Sequence, residues 1–311
     1  MSNEASEWQK KIEGRWYGTP SLFDAEGNHV GYEYVDRASV FEDGKTTYYM
    51  DTKLSGAGPL RNRFELGAQF AFGVVDSDVD RIYTGPDFYG TGQPYGTFVD
   101  AHYYSPGWQA DLRTWNQLID EGTVQVYSSV LHDGWSVCAV FNGVYQVAHD
   151  YDTNPATKER IDAWIAAERE RGPKPQVLPT KQKGRWTGEC EVVSAEREVL
   201  GKDLVTIEHE PLSLRRTRQT VVWDGPLSAR YTYERYRDGA RTQYDGPDVW
   251  GNAVSYGRAL FTSQHSDRDV WKVKGREFLL DDSLRLAVVW ERLEGDTLAA
   301  VVHGVLDWEP A

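Results

Sequence analysis

Residues 83–90 have the sequence Tyr-Thr-Gly-Pro-Asp-Phe-Tyr-Gly and are followed by Tyr95-Gly96. The same pattern returns at residues 244–251 as Tyr-Asp-Gly-Pro-Asp-Val-Trp-Gly, followed by Tyr256-Gly257. The two copies lie 161 residues apart (244 − 83 = 161), and the second pair keeps the same spacing (256 − 95 = 161). A shared octad with a matching pair behind it indicates that the chain is an internal duplication.

A second pair of motifs supports the duplication. Gly14-Arg15-Trp16-Tyr17-Gly18 corresponds to Gly184-Arg185-Trp186-Thr187-Gly188, at a spacing of 170 residues (184 − 14 = 170). The spacing falls by nine between the two pairs of motifs (170 − 161 = 9), so the first copy carries nine additional residues between them. A loop such as Ser55–Pro59 would absorb such an insertion at low cost.

Both halves show short alternating segments separated by turn residues, which predict many short strands. In the first half these segments are Val30–Phe41, Thr46–Leu54, Phe64–Val75, Thr97–Ser105, Val124–Leu131 and Trp135–Val147. In the second half they are Asp203–Glu210, Ser213–Trp223, Ala229–Tyr236, Tyr256–Gln264, Val270–Leu279, Leu284–Arg292 and Thr297–Trp308. Strands at roughly 8–12-residue spacing predict an antiparallel barrel or sandwich in each half.

One segment between the halves predicts a helix. Asn154-Pro155 is a typical N-cap and first-turn pair, and Ile161, Trp164 and Ile165 form an apolar stripe at helical spacing. Gly172-Pro173 ends the helix, and the proline-rich segment to Pro179 predicts a stiff linker. We therefore expect two domains, residues 1–175 and residues 182–311.

Composition excludes several classes of partner and cofactor. With 34 basic and 48 acidic residues, the chain has a formal net charge of −14, which disfavours binding to nucleic acids and to anionic membranes. The acidic first residues predict no signal peptide, and Cys138 and Cys190 form neither a disulfide framework nor a metal-binding spacing. We expect a cytoplasmic protein with no cofactor, and a homodimer is one possible assembly.

The Gly-x-Trp-x-Gly motifs at Trp16 and Trp186 resemble the first strand of the calycin superfamily, which includes lipocalins and fatty-acid-binding proteins. The resemblance implies an all-β chain of two tandem lipocalin-like antiparallel barrels with one connecting helix. In that superfamily the tryptophan closes the base of the barrel, and the flanking glycines admit close packing. The tandem form resembles two-barrel lipocalin-like proteins, some of which are cofactor-free cyclases and isomerases.

Asp100, His102 and Tyr104 alternate along one predicted strand and therefore share a face. If this face points into a barrel, the carboxylate would hold the imidazole for proton transfer, and the three residues are the candidate catalytic group. The alternative is that the row faces solvent, with Val99 and Tyr103 on the inner side.

Aromatic residues around the repeated octad and on neighbouring strands are candidates for ligand binding, because large rings line barrel interiors as well as ordinary cores. The candidates are Tyr83, Asp87, Tyr89, Tyr95, Trp115, Tyr127 and Tyr145. For Asp87 the structural alternative is a turn residue that bonds nearby backbone N–H groups. Residues 149–152, His-Asp-Tyr-Asp, would either cap the helix or bind a cation, and we expect no metal site.

The chain contains none of the common hydrolase, kinase or dehydrogenase signatures. The resemblance to two-barrel lipocalin-like proteins implies a cofactor-independent cyclase, isomerase or lyase that acts on a hydrophobic or aromatic small molecule inside a barrel. A non-catalytic carrier or sensor of a hydrophobic metabolite is the competing function. A purely structural pair of barrels, each filled by its own side chains, is the third.

Overall fold

The computed structural model describes residues 4–58, 60, 69–176, 182–280 and 284–311. Two compact units make up the chain, Met1–Pro173 and Lys174–Ala311. Each unit is a closed antiparallel barrel, and the chain is all-β as expected. Part of the predicted linker (177–181) and the start of the predicted strand Phe64–Val75 lie outside the described residues.

The first barrel contains eleven strand segments connected as a meander. They are β1 (Gly14–Gly18), β2 (Ser21–Asp24), β3 (His29–Glu42), β4 (Lys45–Gly56), β5 (Gln69–Asp76), β6 (Arg81–Thr84), β7 (Tyr89–Tyr95), β8 (Phe98–Ser105), β9 (Ala110–Ile119), β10 (Val124–Asp133) and β11 (Ser136–Val147). Segments β1 and β2 both pair with β3 on one side and with β11 on the other. They act as one strand interrupted at Thr19-Pro20, so the barrel has ten strands, and Pro20 lacks the N–H that a continuous ladder needs.

The second barrel closes with ten uninterrupted strands. They are β12 (Gly184–Ser194), β13 (Val199–Pro211), β14 (Arg216–Asp224), β15 (Ala229–Asp238), β16 (Arg241–Asp245), β17 (Val249–Tyr256), β18 (Ala259–Ser266), β19 (Trp271–Leu279), β20 (Arg285–Glu294) and β21 (Thr297–Pro310). The bounds of β8 and β18 differ by 161 at both ends, and so do those of β10 and β20. The spacing of the repeated octad is thus the spacing of equivalent strands.

The octads themselves form the same hairpin in each barrel. Tyr83 pairs with Gly90 across β6 and β7, and Tyr244 pairs with Gly251 across β16 and β17. In the first copy, the Gly85 N–H donates to the Phe88 carbonyl at 2.9 Å and closes the turn. The Gly-Pro-Asp sequence supplies the turn residues that this short connection needs.

Within the described residues, two α-helices pack on the first barrel, and the 3-10 helix Asp120–Gly122 joins β9 to β10. Helix α1 (Glu7–Ile12) places Trp8 and Ile12 in the barrel core, where the Trp16 indole N–H donates to the Ile12 carbonyl at 2.9 Å. Helix α2 (Pro155–Arg171) begins at the predicted N-cap, since the Asn154 side chain accepts a hydrogen bond from the Ala156 N–H. The stripe of α2 packs on Tyr17, which faces outward from the first barrel.

The interior of the second barrel is filled by its own side chains. Its core contains buried rings from most of its strands, namely Trp186, Trp223, Tyr231, Tyr233, Tyr244, Trp271 and Trp290. Trp290 stacks on Trp223 with ring centroids 5.7 Å apart. At the equivalent position the first barrel carries Ser129 (290 − 161 = 129), a side chain that is too small to fill the same space.

Strand β9 was not predicted, and its inward side explains why. Its inward positions are Leu112, Thr114, Asn116 and Leu118, so two of them are polar. Alternation between apolar and polar residues, the main signal for a half-buried strand, is therefore absent from this segment. The polar inward positions face a cavity.

Candidate ligand-binding site

The interior of the first barrel is hollow, with a cavity of about 520 Å³. Trp8 and Ile12 of α1 line it at one end, and Phe88 and Trp108 line it at the end where the β6–β7 and β8–β9 connections lie. Small-molecule sites in proteins typically range from about 300 to 1,000 Å³. The cavity therefore has room for one small ligand.

One wall of the cavity is aromatic. It is built from inward-facing positions of strands β4, β5, β6 and β8 and from the β6–β7 connection, namely Tyr48, Phe70, Phe72, Tyr83, Phe88 and Tyr103. The rings pack on one another: Tyr48 stacks on Phe72 with centroids 4.8 Å apart, and Phe88 meets Phe72 edge to face at 5.3 Å. Rings held by their neighbours offer a flat apolar surface without loss of side-chain entropy on binding.

The opposite wall is polar. It comes from strands β3, β9 and β10, whose inward positions include Glu33, Arg37, Thr114, Asn116, Gln125, Tyr127 and Ser129. Neighbouring strands bring these groups together, since Asn116 pairs with Tyr127 and Thr114 pairs with Ser129 in the β9–β10 register. The cavity thus has an apolar side and a hydrogen-bonding side.

Arg37 is the cation of the polar wall. Its side chain is buried, at 8% exposure, and one of its Nη atoms donates to Gln125 Oε1 at 2.8 Å. The guanidinium carbon lies 5.5 Å from the Trp16 ring and 5.7 Å from the rings of Tyr48 and Tyr145. Gln125 in turn donates to Asn116 Oδ1, so a hydrogen-bonded chain fixes the orientation of the guanidinium.

A second buried guanidinium lies near the same end of the barrel and is paired. Arg81 is fully buried, and its Nε lies 3.0 Å from Asp76 Oδ1. The other oxygen of Asp76 accepts a hydrogen bond from the Ser6 hydroxyl at 2.6 Å, which ties the start of α1 to the end of β5. Asp76 therefore neutralises Arg81 and anchors the helix that covers this end.

Glu33 is a carboxyl group of the cavity lining with a shifted pKa. Burial raises the pKa of its carboxyl to about 7, and a hydrogen bond with Thr52 only partly opposes the rise. Tyr127 and Tyr145 line the same cavity. Burial and then the neighbouring Glu33 raise the pKa of the Tyr127 phenol, and burial, Tyr127 and then Glu33 raise the pKa of the Tyr145 phenol. A carboxyl that titrates near neutrality can both give and take a proton at physiological pH.

The predicted catalytic row faces away from the cavity, which corrects the expectation that it lies inside the barrel. The His102 side chain is 61% exposed, and Tyr104 is exposed as well. The cavity is lined instead by the other face of β8, with Val99, Tyr103 and Ser105. Aromatic residues occur on both faces of this strand, so the choice of inner face was not decided by hydrophobicity.

Asp100 serves the outer wall of the barrel. It receives two hydrogen bonds from Arg113, at 2.8 and 3.1 Å, and its carboxylate lies 3.4 Å from His102 Nε2. Burial alone would raise the pKa of Asp100, but the hydrogen bonds and charges of His102 and Arg113 outweigh it and lower the pKa to about 2. Asp100 is thus an ionised partner of Arg113 on the outside of the sheet.

The predicted ligand-binding residues divide into two groups. Four line the cavity: Tyr83, Asp87, Tyr127 and Tyr145. Three do not: Tyr89 is 58% exposed, while Tyr95 and Trp115 are buried outside the cavity lining, each against the ring of Phe98. Parity on each strand explains the difference, because a position one residue away faces the other side of the sheet.

Asp87 is a turn residue that also lies on the cavity lining. Its carboxylate accepts hydrogen bonds from the Ser105 hydroxyl at 2.8 Å and from the Gly107 N–H at 3.0 Å, which joins the β6–β7 and β8–β9 connections. It also lines the end of the cavity beside Phe88 and Trp108. Asp87 therefore holds the rim of the cavity in shape.

Glu33 and Arg37 were missed by the sequence analysis, although both lie in the strand predicted at Val30–Phe41. They occupy alternate inward positions of β3 with Val35 between them. A charged pair at the spacing of a strand face is usually read as a solvent-facing row. The signal that would have found them is the tyrosines Tyr32 and Tyr34 on the opposite face, against which α2 and its flanking residues pack.

Neither a protein-family model nor a curated protein matches the chain. Among solved structures, it is similar to a protein of unknown function from the DUF3598 family of Nostoc punctiforme PCC 73102, at 12% identity and a TM-score of 0.58. That match covers 99% of this chain and 100% of the other, and it supports the fold over the whole length. A triple mutant of the Rhodopseudomonas blastica porin matches at 8% identity over 95% of this chain and 99% of its own, with a TM-score of 0.22, from which we infer nothing.

Proposed function

We propose that the first barrel binds a hydrophobic or aromatic small molecule and acts on it as a cofactor-independent isomerase, cyclase or lyase. The observation that carries the proposal is the cavity of about 520 Å³, which has an aromatic wall facing a polar one. The equivalent interior of the second barrel is filled, so that barrel serves as support. The Gly-x-Trp-x-Gly motif at the first strand of each barrel supports membership of the calycin superfamily as part of the same proposal.

In this proposal Glu33 takes the acid–base role that the sequence analysis gave to His102. The aromatic wall holds a flexible substrate in one shape, which lowers the entropic part of the barrier. Glu33 then gives or takes one proton, and its pKa of about 7 suits either direction. Tyr127, beside it, orients a polar group of the substrate.

A carrier or sensor remains the second candidate, and one observation favours it. Asp87 is the other carboxylate of the cavity lining within the described residues, and it is held by Ser105 and Gly107 at the rim. A reaction that needs a separate acid and base would have to use Glu33 for both steps. A protein that only stores its ligand has no such requirement.

Binding is tested with the neutral fluorescent probe N-phenyl-1-naphthylamine and the full chain. We expect the probe to bind with enhanced fluorescence and to raise the melting temperature. Ser129→Trp copies into the first barrel the residue that fills the second, and it should abolish binding. Val130→Trp, one position along on the outer face of the same strand, is the matched control and should leave binding intact. Equal binding by both variants would contradict the proposal.

Catalysis is tested on the same protein. The full chain is incubated with a small-molecule extract of cells, and mass spectrometry follows which species are consumed and formed. Glu33→Gln should keep probe binding and lose turnover, whereas His102→Ala should keep both. Probe binding with no change in any metabolite would instead support the carrier.

A further inference from the structure

Arg37 carries a charge that the described part of the chain does not neutralise. Its contacts are one hydrogen bond to Gln125 and the faces of three aromatic rings, and no described carboxylate pairs with it. Its Nε is buried and has no hydrogen-bond partner. Burying a guanidinium without an anion is costly, so such a group is retained where something else supplies the negative charge.

The buried charges at the end of the barrel that α1 covers do not balance. Arg37 and Arg81 bring two positive charges, and Asp76 brings one negative charge, which leaves +1. Glu33 is the next carboxyl on the cavity wall, and its raised pKa keeps it largely neutral below pH 7. The chain as a whole has a net charge of −14, so the positive charge at the α1 end of the cavity is opposite in sign to that of the chain. This positive charge is therefore a feature of the site.

The rings around Arg37 hold the guanidinium without using its hydrogen-bond donors. A guanidinium has five N–H donors, and Gln125 accepts from one of its nitrogens. Cation–π contacts with Trp16, Tyr48 and Tyr145 stabilise the charge but accept no conventional hydrogen bond. The group is thus fixed in position and still able to bind an acidic group, which is the arrangement of a preorganised anion site.

We propose that the ligand of the cavity is an organic anion, an apolar or aromatic molecule whose carboxylate or sulfonate binds Arg37 while its rings lie on the aromatic wall. The inference rests on the proposed function and names its ligand class. Along β3, Glu33 and Arg37 are four residues apart, or about 13 Å between Cα atoms. The acidic group of the ligand is therefore bound at one point of the cavity, and the part of the molecule that meets Glu33 lies further toward the rim.

The test compares two probes that share a skeleton and differ in charge. 1-Anilinonaphthalene-8-sulfonate carries the sulfonate that N-phenyl-1-naphthylamine lacks. We expect the wild-type chain to bind the sulfonate more tightly than the neutral probe, and Arg37→Gln to weaken sulfonate binding by about 10- to 100-fold, the effect of a lost charge-assisted hydrogen bond. Binding of the neutral probe should change by less than about twofold, since it makes no such bond.

Three controls keep the result interpretable. Arg37→Lys retains the charge and should recover part of the sulfonate affinity, which addresses the possibility that Arg37→Gln folds poorly. Arg216→Gln, at an exposed guanidinium of the second barrel, should change neither probe. Ser129→Trp should abolish both, because it fills the cavity that they share.

The outcomes separate the inference from the proposed function. If the neutral probe binds and Arg37→Gln leaves sulfonate binding unchanged, the anion site is refuted and the hydrophobic cavity stands. Tighter binding of the neutral probe than of the sulfonate to the wild-type chain has the same meaning. If neither probe binds, the proposed function itself fails.

Discussion

Glu33 and Arg37 project from one face of strand β3 into one cavity, yet no salt bridge joins them among the described residues. The carboxyl pairs with Thr52 and the guanidinium with Gln125. Because they remain separate, burial raises the pKa of the carboxyl and lowers that of the guanidinium, rather than each stabilising the charge of the other. The polar wall therefore holds two ionisable groups that do not pair with each other.

The first prediction concerns Glu33 and pH. Its pKa is raised from 4.5 to about 7 on folding, so between these values the folded state binds a proton that the unfolded state has released. Stability from this group is complete below pH 4.5 and is lost as pH rises through 7. Glu33→Gln removes this dependence. The free energy of unfolding, measured in urea at pH 5 and pH 8, should rise for the variant relative to the wild type by up to about 3 kcal/mol between the two pH values. A difference in the free energy of unfolding that does not vary with pH would contradict a Glu33 that is protonated in the folded state below pH 7.

The second prediction concerns the buried pair behind the cavity. Asp76→Asn leaves the fully buried Arg81 without its anion, and we expect the free energy of unfolding to fall by about 3–5 kcal/mol. Asp78→Asn is the matched control, because Asp78 is exposed and accepts a hydrogen bond from the Glu7 N–H, a bond worth about 1 kcal/mol. Urea unfolding of both variants provides the comparison, and equal losses would show that the buried pair contributes no more than a surface contact.

The third prediction concerns the outer face of β8. The pKa of Asp100 is lowered to about 2, so its ionised form stabilises the folded state above pH 4, and this contribution is lost as pH falls through about 2. Asp100→Asn should cost up to about 2 kcal/mol at pH 6 and progressively less below pH 4. Probe binding at pH 6 should not change, because the side chain faces away from the cavity. Loss of binding without loss of stability would instead place Asp100 in the site.

The fourth prediction uses the glycines of the two first strands. A Cβ on Gly18 would lie 1.7 Å from a ring carbon of Tyr145, which lines the cavity and packs on Tyr127 with centroids 5.1 Å apart. Gly18→Ala must therefore displace that ring, and it should cost about 1–3 kcal/mol in stability and weaken binding of N-phenyl-1-naphthylamine.

The equivalent change in the second barrel is the control for Gly18→Ala. A Cβ on Gly188 would lie 2.3 Å from the Val305 carbonyl oxygen, so Gly188→Ala is also strained. Because the second barrel is filled, this variant should lose stability and keep its probe affinity. Melting curves and probe titrations of the two variants separate strain in the strand from a change in the cavity.

Local chemistry made the fold predictable. Turn residues of the two octads set equivalent hairpins, and the Asn154-Pro155 cap set the start of α2, because both signals act within a few residues. Among the strands that no predicted segment covered, β9 is polar at two of its inward positions. The duplication was evident because its spacing is conserved between equivalent strands.

The site was less predictable, because a strand carries two faces and sequence alone does not say which is inward. On β8 the row with His102 and the row with Tyr103 both carry an aromatic residue and a polar one. On β3 both faces carry two charged residues, and Glu33 and Arg37 are the two that point into the barrel. A hollow barrel can place charged residues on its inner face, against the usual rule that charge faces water. Which face of each strand points inward is therefore fixed only when the sheet closes.

Ser129 and Trp290 occupy equivalent positions, with Thr114 and Gly275 beside them on the paired strands. A Cβ on Gly275 would lie 2.4 Å from the indole of Trp290, so the large ring at position 290 requires a glycine at position 275. A few inward-facing side chains, which take no part in the backbone pairing of the strands, therefore decide whether a barrel of this fold has room for a ligand. Exchanging the second-barrel pair for the first-barrel one, with Trp290→Ser and Gly275→Thr, should therefore open a cavity in the second barrel while the strand pairing stays as it is.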